Sequence, residues 1–173
     1  RAISEADSKL AEEVIIEEQV VDEMEVDIDT ACILIIARRQ PAASDLRLVM
    51  MVTKAINDLE RIGDEAKKIA NHAILLVEEG GSSKGYPEIR HIGASVSKML
   101  ANALDAFARF DADAAMSTIE EDKQIDLDYK TALRELVTYM MEDPRSISRV
   151  INVLWVVRSL ERIGDHTKNL CEQ

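Results

Sequence analysis

The chain has 173 residues, enough for one domain of ordinary size or two small repeats, and 47% of them are hydrophobic against 31% charged, which excludes a disordered chain. Aromatic residues make up 3% and proline occurs three times, the usage of an all-α bundle. A net charge of −12 argues against sequence-independent nucleic-acid binding and against a polybasic membrane anchor, and no apolar run reaches the ~18 residues of a membrane-spanning helix.

The first predicted helix covers residues 8 to 38, with Val14, Val21, Met24, Ile28, Cys32 and Ile35 at three- and four-residue steps on its inner face. An acidic stripe runs beside them, because Glu18, Asp22, Glu25 and Asp29 fall at i, i+4, i+7 and i+11. Pro41 closes this helix, and Ser44 or Asp45 caps the next, which runs to about Val77 through Val49, Ile56, Leu59, Ile62, Ile69 and Leu76. Short connections make consecutive helices antiparallel neighbours. Residues 80–87, rich in glycine and serine, form the linker between a first unit at 1–79 and a second at 88–173. A third helix spans 88 to 110 with Ile92, Val96, Met99, Leu100, Ala103 and Phe107 inside. A fourth runs from Asp111 or Asp113 to about Met141, and after the break at Asp143-Pro144 a fifth extends from Ser146 through Leu170.

Leu59-Glu60-Arg61-Ile62-Gly63-Asp64 returns unchanged, 101 residues later, as Leu160-Glu161-Arg162-Ile163-Gly164-Asp165. An internal duplication follows, with one copy of a site in each half. Glu60/Asp64 and Glu161/Asp165 stand at i, i+4 on one helix face, where two carboxylates repel, and a duplicated repulsive pair calls for positive charge between or opposite them. A mid-helix glycine costs roughly 1 kcal/mol, and its usual return is close approach of another backbone or of an ion's shell. Sliding the chain by 101 aligns Met24-Glu25-Val26-Asp27 with Ile125-Asp126-Leu127-Asp128, so Glu25/Asp29 are expected to face Glu60/Asp64 and Asp122/Asp126 to face Glu161/Asp165. The competing reading makes the acids a solvated edge, or a structural salt-bridge knot closed by Arg61 and Arg162. Under the same slide the third helix maps to −13 to 9, so the first repeat is expected to lack its first helix here. The chain also opens on Arg1 in place of Met, the mark of a piece of something longer.

Arg38-Arg39-Gln40-Pro41-Ala42-Ala43-Ser44-Asp45-Leu46-Arg47, with the doubled Leu-Glu-Arg-Ile-Gly-Asp hexamer, resembles the PhoU family of bacterial phosphate-signalling regulators. The likeness covers essentially the whole chain. It implies two tandem antiparallel three-helix bundles related by a pseudo-twofold axis, the first without its first helix. It also implies metal held by acidic-x-x-x-Asp pairs, here Glu60/Asp64 and Glu161/Asp165, with Glu25/Asp29 and Asp122/Asp126 matching in spacing only. The implied function is negative regulation of phosphate uptake and of the phosphate-starvation response. The implied partners are the ATPase subunit of the phosphate ABC transporter and the phosphate-sensing histidine kinase. A cytoplasmic homodimer is expected, peripheral to the inner membrane through those partners. All-oxygen ligands select Mg²⁺, Mn²⁺ or iron over structural Zn²⁺.

Two rivals remain. A carboxylate-bridged di-metal enzyme needs Glu-x-x-His on two inward helices, and only Glu88-x-x-His91 fits. A metal-free helical module would use the acidic stripes to bind a basic partner. His72 and His166 are expected at the surface or behind a ligand, and Met50, Met51, Met140, Met141 and Trp155 as core or interface filler. Arg47 and Arg149 are expected as surface residues, with an anion or a partner's acid as the alternative. Cys32 and Cys171 lie in different halves without a CxxC, as in a reduced cytosolic protein.

Overall fold

Long runs with few helix breakers become helices here, and the breaks fall where proline, glycine or a capping aspartate stands. The structure is a computed structural model and describes residues 1–80 and 86–173, so most of the expected linker at 80–87 lies outside the described residues. The helices are α1 (Ala2–Glu5), α2 (Ser8–Arg39), α3 (Ser44–Glu78), α4 (Pro87–Arg109), α5 (Ala112–Glu142) and α6 (Ile147–Cys171), with a 3-10 turn at Pro144–Ser146. No strand occurs among the described residues.

Local chemistry repeats with the sequence. The Asp7 carboxylate accepts from the amides of Lys9 and Leu10 at 3.0 and 3.1 Å and caps α2, and Asp111 accepts from the amide of Ala114 at 3.0 Å and caps α5. Each cap follows a left-handed residue, Ala6 at φ 53° and Phe110 at φ 55°. The α1–α2 junction is thus the α4–α5 junction, 104 residues earlier. At the Pro41 turn, neither Ser44 nor Asp45 caps α3; both are helical, and Ala43 takes the N-cap position with φ 51°.

α4, α5 and α6 each pack against the other two, and Ile92, Val96, Met99, Ile125, Val153, Val156 and Val157 fill the space between them. α3 closes onto this core through Ile62 and Leu76, while α2 packs along α3. A helix with one long partner buries only a narrow stripe. On α2 that stripe is Ala11, Glu18 and Cys32, at multiples of seven, so Met24, Ile28 and Ile35, expected inside, are exposed at 58%, 38% and 43%. The covered stripe is narrower than the periodicity predicts, because the apolar residues of α2 outnumber what α3 alone covers.

α3 and α6 run antiparallel, joined by a polar ladder that steps seven residues down one helix and up the other. Asp58 meets His166 at 3.2 Å, Glu65 meets Ser159, and His72 meets Asn152 at 3.1 Å. His166 is 6% exposed and no surface residue. Asp58 also accepts from Asn169 at 3.4 Å and Gln173 at 2.9 Å. Burial acts to raise the Glu65 carboxyl, but hydrogen bonds from Lys68 and Ser159 and the charge of Arg162 outweigh it and hold it below the usual range. His72 stacks on Trp155, which with Met50 and Met141 lies exposed, outside any core. Arg149 donates to the Glu79 carbonyl at 2.9 Å and so satisfies the end of α3.

Met99 is fully buried. Met99→Ala is expected to cost about 2–5 kcal/mol in denaturant unfolding, as a cavity that the three surrounding helices cannot collapse.

Candidate metal centre

The duplicated hexamers lie in helix–helix seams, α3 on α2 and α6 on α5. A Cβ added to Gly63 would stand 3.5 Å from Val21 Cγ1 and 3.6 Å from Glu18 Cγ, and one added to Gly164 would stand 3.4 Å from Ile125 Cγ2 and 3.5 Å from Asp122 Oδ1. The glycines are 101 residues apart, yet the side chains they face, Glu18/Val21 and Asp122/Ile125, are 104 apart. The first arm therefore carries three more residues than the second between facing positions. In space Asp126 corresponds to Asp22, and Asp122 to Glu18, which corrects the expected pairing of Asp126 with Glu25. One rigid slide fails because the length difference is taken up between the helices.

At the first seam, burial and the charges of Asp64, Asp22 and Glu25 push the Glu60 carboxyl up, against a smaller opposing effect of Arg61. Asp29 stands one turn beyond Glu25, outside this group. At the second, burial and Asp165 raise Glu161, with Asp126 adding to the rise and Arg158 opposing it. Burial, Asp122 and Asp126 raise Asp165. Glu60 in the first half, and Glu161 and Asp165 in the second, thus feel the acids of the facing helix.

Neither hexamer arginine forms an ion pair with its own seam: Arg61 is exposed and Arg162 turns away to Glu65 at 3.1 Å, while Arg158, outside the hexamer, lies 3.1 Å from Glu161. Each seam instead holds a lysine. Lys67 donates to Glu18 Oε2 at 2.6 Å and Lys168 to Asp122 Oδ2 at 3.1 Å, each bridging two helices. The repeat could have revealed them, since both lysines fall three residues after the hexamer's aspartate.

The seams differ in charge. Where the second has Tyr129, with the Arg158 guanidinium 5.8 Å from its ring centroid, the first has Glu25. Five carboxylates face one ammonium at the first seam, and four face an ammonium and a guanidinium at the second.

These donors fit a hard divalent cation chemically: all are carboxylates, and Glu18 Oε1 and Asp22 Oδ1 are buried with no hydrogen-bond partner. Among the described residues no group of three or more His, Cys, Asp or Glu side chains is arranged to hold a metal ion as it stands. The carboxylates are spread along each seam. Glu88 and His91 do not join them, His91 pairing singly with Asp128 on α5 at 3.1 Å.

Comparison with known proteins accounts for the doubled architecture. The model of the PhoU domain matches residues 1–73 and 89–173. The chain belongs to the PhoU family. It is 61% identical over 171 residues to the phosphate-specific transport system accessory protein PhoU homolog of Pseudomonas aeruginosa, covering 99% of this chain and 71% of that protein. It is 48% identical to the Escherichia coli phosphate-specific transport system accessory protein PhoU, covering 99% and 70%. The crystal structure of PhoU from Pseudomonas aeruginosa superposes with a TM-score of 0.96 at 61% identity, over 99% of this chain and 82% of that one. The phosphate transport system regulatory protein PhoU from Streptococcus pneumoniae gives 0.89 at 30% identity, over 99% and 80%. Two tandem helical bundles of the PhoU type, expected from the sequence, are what the chain forms.

Raised carboxyls keep protons in the folded protein that the unfolded chain has already released. The metal-free fold is therefore expected to lose stability as pH rises above 4.5, the ordinary value of Glu60 and Glu161. Glu60→Gln/Glu161→Gln should flatten that slope and raise the metal-free Tm by roughly 2–4 °C per kcal/mol relieved, read by thermal melts between pH 4 and 8. Gly63→Ala and Gly164→Ala, whose added methyls meet ordinary contact distances, are expected to hold or raise Tm, by up to about 1 kcal/mol of helix propensity. Gly164→Leu should part the seam at a cost of about 1–3 kcal/mol.

Proposed function

We propose that this chain is a regulatory accessory protein of a phosphate uptake system, one that restrains uptake and the phosphate-starvation response and is not a catalyst. The observation that carries the reading is identity of 61% and 48%, over 99% of the chain, to proteins named as accessories of phosphate-specific transport. It acts in the cytoplasm as a homodimer. Its contacts there are the ATPase subunit of the phosphate ABC transporter and the phosphate-sensing histidine kinase, which hold it beside the inner membrane. No described helix is long and apolar enough to cross a membrane, in keeping with attachment through partners.

Its working units in this reading are the two repeats, residues 1–79 and 88–173, each with one acidic seam. Mg²⁺, Mn²⁺ or iron would be held by Glu60, Asp64, Glu18, Asp22 and Glu25 in the first and by Glu161, Asp165, Asp122 and Asp126 in the second. Such an ion supplies positive charge that cancels the mutual repulsion of these acids. The protein's part is to bring the two helix faces together at Gly63 and Gly164 and to present the fixed seam to partners.

A second reading, a metal-independent helical interaction module, has one observation behind it: each seam already contains an ammonium, Lys67 or Lys168. Under that reading, chelation leaves partner binding unchanged.

The test is complementation of an Escherichia coli strain lacking its own family member, read by a phosphate-starvation reporter in phosphate-rich medium. Expression of the chain is expected to restore repression, and the Glu60→Gln/Glu161→Gln variant to restore it poorly. A folded, expressed chain that leaves the reporter fully active would overturn the regulator reading. Calorimetric titration of Mn²⁺ should show the first seam roughly tenfold tighter than the second, as its extra negative charge requires. Asp64→Asn is then the variant that removes the tighter site, and Asp165→Asn the weaker.

A further inference from the structure

The lysine at each seam occupies the place where a cation is wanted. Lys67 projects from α3 and donates to Glu18 on α2, and Lys168 projects from α6 and donates to Asp122 on α5. Each is one turn beyond its glycine, at the same position of the repeat. The carboxylates acting on Lys67 are Glu18, Asp22 and Asp64, drawn from both walls of the seam. Those acting on Lys168 are Asp122, Asp165 and Glu172, again from both sides. Arg61 is an exposed residue of the first hexamer, and Arg158 stands at Glu161 in the second.

Burial separates the two partners of each bridge. Glu18 is 3% and Asp122 5% exposed, so these acids cannot leave the seam, whereas the lysine side chains are 35% and 39% exposed. A flexible four-carbon stem lets the ammonium swing into water without disturbing either helix. At the first seam the ammonium also leaves the site unfinished, because Glu18 Oε1 and Asp22 Oδ1 stay buried without hydrogen-bond partners, and at the second Glu161 Oε2 does. A divalent cation with six or more oxygen positions would engage such oxygens and bring twice the charge.

The α3–α6 ladder shows the contrasting case. There Glu65 is held by Lys68 at 2.9 Å, by Arg162 at 3.1 Å and by Ser159, a set with no spare buried oxygen left unpaired. That pairing is a closed structural network; the one around Lys67 is open.

We propose that Lys67 and Lys168 are displaceable internal counter-ions, each occupying the cation position of its seam in the metal-free protein and being expelled into solvent when a hard divalent cation enters. This rests on the reading of the seams as metal sites and adds how they are regulated. The seam has two partly neutralised states, one closed by ammonium and one by metal, so it does not splay when the metal leaves. Metal entry transfers two positive side chains from the seams to the outer surface, at equivalent positions of the two repeats. Lysine competition also sets the metal concentration at which the exchange occurs.

The test titrates Mn²⁺ by calorimetry into the full chain as wild type, Lys67→Met/Lys168→Met, Lys67→Arg/Lys168→Arg and Glu60→Gln/Glu161→Gln, beside metal-free melts. Reductive methylation of Lys67 and Lys168 is followed by mass spectrometry with and without Mn²⁺. The methionine variant is expected to bind Mn²⁺ on the order of tenfold more tightly while its metal-free Tm falls. The arginine variant should keep affinity near wild type, and in the wild type Mn²⁺ should speed methylation of both lysines. Binding measurable only in the methionine variant would support the proposal equally. Unchanged or weaker binding in the methionine variant, with binding lost in the glutamine variant, would overturn the counter-ion role and leave the metal seams standing. Equal binding in glutamine variant and wild type, or none in any form, would overturn both. If the methionine variant fails to fold, methylation of the wild type decides: rates that Mn²⁺ leaves unchanged overturn the proposal.

Discussion

Mutual repulsion of carboxylates across two close helix seams is the constraint on which the rest of this structure depends. At Gly63 and Gly164 α2 packs on α3, and α5 on α6, so that a Cβ there would stand at ordinary contact distance from side chains of the facing helix. That packing places Glu60 within the field of Asp22 and Glu25, and Asp165 within that of Asp122 and Asp126. Burial strengthens each repulsion by removing water that would screen it. A seam so built is stable only with positive charge inside it, and the chain supplies the first instalment itself through Lys67 and Lys168.

The remainder of the fold keeps those seams in position. α3 and α6 form the central antiparallel pair, and each carries one hexamer outward to a different partner helix. The polar ladder between them fixes register: Asp58 on His166 and Glu65 on Ser159 are the same contact seen twice through the pseudo-twofold. A shift of one turn along α3 would unpair both, leaving buried acids without partners. The apolar core lies among α4, α5 and α6, whereas α2 packs lengthwise on α3 alone.

Membership of the PhoU family gives this architecture a biological setting, since its named relatives belong to phosphate-specific transport. The two seams share one design but differ in charge, with Glu25 in one and Tyr129 beside Arg158 in the other.

Much of this was legible in the residues. Helix ends fell within a few positions of Pro41, the capping Asp111 and Pro144, because these act through local backbone chemistry that needs no tertiary partner. The hexamers announced both the duplication and their own carboxylates, since identical sequence at i, i+4 spacing puts the same groups on the same face. Three matters waited for the tertiary structure. The acids facing the first hexamer are Glu18, Asp22 and Glu25, without Asp29, because a three-residue difference between the arms is invisible to a single slide. His166 is buried on Asp58, 108 residues away, and Arg149 closes α3 in place of meeting an anion. The exposed flank of α2 shows the same limit, for periodicity says which face is apolar but the number of neighbouring helices decides how much of it is covered. Sequence alone determines what is local, helices, caps and the spacing of charges along one face. Which side chains meet across a seam, and which cation sits between them, is decided only when helices distant in the chain pack and water is excluded.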